Sequence, residues 1–147
     1  MRTGTEGIDR RPEGVSDATV AAAGKVSEAF ECIEEVRGKL YAAHRLVGTA
    51  DLALGDAVDL LRAAGHAELA ETIDREMVGR NVLPGRWTFQ VIEEFDAGYY
   101  ADFKRIQKLV CDELMDGRPH VYEAEMKAAR RTPGRPGHEA TPAEVGE

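Results

Sequence analysis

The chain has 147 residues, 43% of them hydrophobic, which is enough for one modest core. Its 19 basic and 27 acidic side chains leave a formal net charge of −8, opposing non-specific binding to nucleic acid or an anionic membrane surface. The two ends are balanced, so the excess lies in residues 17–116, which carry 11 basic and 19 acidic side chains.

Residues 1–15 mix Gly, Thr and charge without periodicity and read as a disordered N-terminal arm. Ser16 or Asp17 then caps a long helix to about Val47. Val26, Phe30, Ile33, Val36, Leu40 and Val47 form its apolar face, and Ala29 and Ala43 leave room for a neighbour. Gly24 and Gly38 each weaken it by about 1 kcal/mol relative to Ala. Gly48 reads as its stop. Thr49 and Asp51 read as the start of a second helix, 50–64, with Leu54, Val58 and Leu61 as its stripe. Gly65 fits a left-handed cap, after which Leu69, Ile73 and Met77 mark a third helix over 67–78. In the loop that follows, Pro84-Gly85 suits the centre of a type II turn.

Residues 88–116 form the expected spine. Six of the nine aromatic residues fall between Trp87 and Phe103. Phe89, Ile92, Phe95, Tyr99, Phe103, Ile106, Val110 and Leu114 recur every three or four positions, the spacing of an amphipathic helix. Pro119 opens a last helix, 120–131, in which Tyr122 and Met126 lie one turn apart and Glu123 is spaced to pair with Lys127. Residues 132–147, with three prolines and three glycines, read as a disordered tail. The pattern predicts an all-α, single-domain helical bundle over 16–131, with two long antiparallel helices and shorter helices between and after them.

Catalytic groupings are not evident. A ferritin-type di-metal bundle needs Glu three residues before His, and none of the four histidines has one. His44 lies near the apolar face of the first helix, where histidine is usually a packing residue. A metal or small-ligand site built from His44 and carboxylates of the long helices is the alternative. Ser16 lacks the strand and final Gly of a nucleophile elbow, and Gly24-Lys25 lacks the Ser or Thr of a phosphate loop. Cys32 and Cys111 read as structural thiols of a reducing cytosol. No catalytic residue, metal or cofactor is therefore expected. Gly134-Arg135-Pro136, beside Lys127, Arg130 and Arg131, matches the centre of an AT-hook, but Pro133 replaces the usual Arg; it leaves weak DNA contact as a further alternative. With no signal-like or membrane-spanning run, a cytoplasmic protein is expected.

Two blocks, GRNVLPGRWTFQVIEEFDAGYYADFK at 79–104 and HVYEAEMKAARRTPGRPGHEATP at 120–142, resemble small uncharacterised helical proteins of actinobacteria. That resemblance implies no activity and transfers no functional residue. The residues themselves favour a non-enzymatic protein-interaction or assembly module, a homo-oligomer. Trp87, Tyr99, Tyr100, Phe103, Tyr122 and Met126 are its expected contact residues, because such side chains are enriched in interface hot spots or are adaptable apolar contacts.

Overall fold

A computed structural model describes residues 11–146. Residues 1–10 of the expected arm lie outside them, whereas Arg11 is tied down. Its guanidinium donates to both oxygens of Glu125 at 2.6 and 2.9 Å, and to Asp17 at 2.7 Å. Ser16 caps α1, Asp17–Ala63, by accepting the Thr19 N–H at 3.1 Å.

The expected break at Gly48 is absent, and α1 runs unbroken through it. A lone glycine costs a helix about 1 kcal/mol but does not stop it unless a cap takes over the exposed carbonyls. Here the two residues expected to open the next helix are used otherwise. Thr49 Oγ1 donates back to the Arg45 carbonyl at 3.0 Å, and the Asp51 carboxylate accepts the distant Gly79 N–H at 2.8 Å. The true stop is Gly65, at φ +89°, where the His66 N–H reaches the Leu61 carbonyl and the Gly65 N–H reaches that of Arg62.

The remaining elements are α2, Ala67–Glu76; α3, Thr88–Phe95; a π-helical turn, Asp96–Tyr100; α4, Ala101–Met115; α5, Val121–Arg130; and a 3₁₀ turn, Pro142–Gly146. The described residues are all-α, and none of their helices is long and apolar enough to cross a membrane. The spine is helical from 88 to 115, with one π-helical turn at its aromatic centre. Pro84-Gly85 makes the expected turn: Gly85 has φ +72°, and the Arg86 N–H donates to the Leu83 carbonyl.

The chain divides into two compact units. Unit 1 holds Met1–Cys32 and Asp102–Glu147. Its core is Val20, Ala23, Met115 and Val121, with Val15, Val110 and Cys111 against it. Phe30 stacks on Phe103, their centroids 6.1 Å apart, and the Gln107 amide donates to Ser27. Gly24 is a close-approach position, since a Cβ there would lie 3.1 Å from Tyr122 Cβ. The expected disordered tail packs in this unit: Ala140 and Thr141 are buried, and Lys127 donates to the Ala140 carbonyl. Lys127 Nζ is thus used on the Ala140 carbonyl and not on its expected partner, Glu123.

Unit 2 holds Ile33–Ala101 and buries only Val58, Ala70 and Ile92. Arg62 lies within 4 Å of Asp59, Glu71 and Asp74, linking the end of α1 to α2.

Candidate functional site

The Asp51 contact with Gly79 draws the 77–88 loop onto α1 and leaves a cavity of about 460 Å³. Val47 and Leu54 of α1, Met77, Val82 and Trp87 supply its apolar lining, and Arg80 and Asn81 supply polar groups. Trp87 is held by both ends. Its backbone N–H donates to the Gln90 side chain at 2.8 Å, and its indole N–H donates to the Gly79 carbonyl at 3.3 Å. Trp87 is still 47% exposed, so a large apolar side chain is fixed in place beside an open groove.

Farther along α1, Arg37 organises the π-helical turn. It donates to both oxygens of Asp96 at 2.8 and 3.0 Å. Its guanidinium carbon lies 4.9 Å from the Tyr100 ring centre and 5.3 Å from that of Tyr41. The Tyr100 hydroxyl donates to Glu34, and Phe95 contacts the rings of Tyr99 and Tyr100. Beside Arg37 the Asp96 carboxyl is held below its ordinary value, and the acceptor Glu34 pushes the Tyr100 hydroxyl up.

The six expected contact residues divide between the units. In unit 2, Trp87 and Tyr99 are exposed, while Tyr100 is half-buried in the Arg37 network. In unit 1, Phe103 is half-buried against Phe30, and Tyr122 and Met126 are exposed on α5. Sequence reading missed Arg37 and Asp96, which are 59 positions apart and carry no local signal.

His44 does not meet the carboxylates of the long helices. Its Nδ1 lies 2.6 Å from Thr88 Oγ1 at the start of α3. Among the described residues, the metal-capable group is instead Glu31, His120 and Glu123, whose donor atoms all lie within 4.8 Å of one another. Its sequence signal is His-x-x-Glu, the reverse of the order sought. The Arg-rich end is folded back on itself. Arg131 donates to the His138 carbonyl, and Gly134 and Gly137 have φ +82° in consecutive turns, where a hook in the minor groove requires extended chain.

No family model, curated protein or solved structure matches this chain.

Proposed function

We propose that this protein is a non-enzymatic assembly module that associates with copies of itself in the cytoplasm. What supports the reading is the imbalance in unit 2. Three residues there are buried, whereas thirteen large apolar side chains remain exposed, among them Leu46, Leu52, Leu60, Trp87 and Tyr99. Single exposed apolar residues are ordinary, but this concentration is what an interaction surface presents. Trp87 in its groove and Tyr122 with Met126 on α5 are the anchors this reading assigns.

In the assembled form, α1 and the α3–α4 segment are the two long antiparallel helices of a bundle. The order of side-chain pairs supports this within each unit: Thr88 with His44, Asp96 with Arg37 and Tyr100 with Glu34, then Phe103 with Phe30 and Gln107 with Ser27. Within each unit the α1 residue number falls as that of its partner rises. Size-exclusion chromatography with light scattering tests the assignment. A defined oligomer at micromolar concentration is expected, and a strict monomer overturns it.

A second reading, metal binding, is favoured by Glu31, His120 and Glu123, which come from α1 and the start of α5. Two carboxylates and an imidazole suit a borderline divalent ion such as Zn²⁺. Titration calorimetry with Zn²⁺ tests it. Saturable binding lost in Glu31→Gln supports the site, and no binding removes it.

A further inference from the structure

The continuity of α1 through Gly48 has a consequence for the side of the helix away from the groove. Leu46, Ala53 and Leu60 are spaced by seven residues, so they form a nearly straight stripe, drifting by only about 20° per heptad. All three are exposed, Leu46 at 68% and Leu60 at 70%. Leu52 beside them is exposed at 74%. The opposite side of α1 carries Asp51, bound to Gly79, and Val58, 2% exposed, so the helix is already covered there.

Resting on the self-association reading above, we infer that this stripe is a seam for α1 of a second copy, running antiparallel about a two-fold axis near Leu52. The charges single out that occupant and that direction. Arg45 lies seven residues before Leu52 and Asp59 seven after it, on the same edge of the stripe. An antiparallel copy sets Arg45 against Asp59 of the second copy, and the axis repeats the pair in reverse. A parallel copy would set this edge against the other edge of the stripe, at Ala50 and Ala64, and would leave both charges without a partner across the seam.

Both groups are available for such pairing. Among the described residues the Arg45 side chain makes no hydrogen bond or ion pair, and only its carbonyl accepts from Thr49. Asp59 is 81% exposed and lies 3.8 Å from Arg62. In the same register Leu52 meets Leu52, Leu60 meets the small Ala42, and Ala53 meets Thr49. Asp56, one turn before Asp59, faces Leu46 beside the incoming Arg45. Small residues opposite large ones let the helix axes approach closely.

The test is the association constant of the full chain, measured by sedimentation velocity for four forms. Leu46→Glu/Leu60→Glu is expected to abolish the dimer. Arg45→Glu and Asp59→Arg are each expected to weaken it roughly tenfold, and Arg45→Glu/Asp59→Arg combined to restore it to within about threefold, because the swap rebuilds both pairs. All these positions are solvent-exposed, and helix content by circular dichroism is expected to stay constant. A dimer indifferent to the leucine and charge changes overturns the seam and leaves the assembly reading standing. A wild-type monomer overturns both. Single charge changes that weaken the dimer without rescue by the swap overturn the antiparallel register.

Discussion

Arg37 and Asp96 meet edge to edge, with two parallel N–H···O bonds of 2.8 and 3.0 Å between α1 and the first residue of the π-helical turn. The pair does more than place two charges together. By fixing the guanidinium plane it also sets the face on which Tyr41 and Tyr100 lie. Arg37→Lys keeps the charge but loses the fork and the flat face. It is expected to lower the melting temperature and to increase hydrogen exchange within 96–100 while the amides of α2 stay protected. Equal loosening of both segments would show that the pair does not act locally.

Acid separates the same contact from the rest of the fold. The folded-state Asp96 carboxyl lies below its ordinary value because of Arg37, so its stabilising contribution is complete above the ordinary carboxylate range. It is lost as pH falls from about 4 through the lowered folded value. Glu94 beside Arg86 and Glu125 beside Arg11 are shifted in the same direction. Melting temperature is therefore expected to fall below about pH 4. Asp96→Asn should be less stable at neutral pH and converge with the wild type in acid. Parallel pH curves for the two proteins would contradict the assignment.

Trp87, the only tryptophan, reports directly on the groove. Its half-exposed ring is expected to be quenched by acrylamide and, separately, by an apolar dye entering the cavity. Leu54→Arg places charge in the lining, so it should block quenching by the dye and spare quenching by acrylamide. Dye quenching unchanged in Leu54→Arg would place the dye elsewhere.

What sequence pattern could disclose was the helical content, the cap at Ser16, the stop at Gly65 and the turn at Gly85, because each rests on residues within one turn of each other. The seam was illegible for a specific reason. Breaking the helix at Gly48 resets the angular count, so Leu46 and Leu60 never appear in one register; Asp51, read as part of a new helix start, instead contacts Gly79, 28 residues away. The aromatic abundance of 87–103 was plain, but its division between exposed Trp87 and Tyr99 and the half-buried Tyr100 and Phe103 depends on Arg37, Glu34 and Phe30 from another helix. Glu31 joining His120 and Glu123 is likewise a long-range meeting.

The core of unit 1 is small enough that one side chain carries much of it. Met115 is 2% exposed and packs with Val20, Ala23 and Val121. Met115→Ala is expected to destabilise the chain by about 2–5 kcal/mol in urea unfolding, whereas Leu114→Ala, one position away and 38% exposed, should cost well under half as much. Similar costs at both positions would mean that Leu114 is covered in solution.

The glycines of α1 have different roles, and alanine distinguishes them. At Gly38 an added methyl meets nothing within 4 Å, so Gly38→Ala should gain about 0.5–1 kcal/mol from helix propensity and reduced freedom of the unfolded chain. At Gly24 the same methyl would lie 3.1 Å from Cβ and 3.2 Å from Cγ of Tyr122, atoms close to the α5 backbone that cannot swing aside. The propensity gain there is offset by displacement of α5, carrying Val121 out of the core it shares with Met115. Gly24→Ala is thus expected to gain nothing or to lose stability, and in a Tyr122→Ala background, where the ring is gone but Cβ stays at 3.1 Å, only part of the Gly38→Ala gain should return. Equal gains from Gly24→Ala and Gly38→Ala in thermal melts would show that α5 does not approach α1 as closely as these distances require.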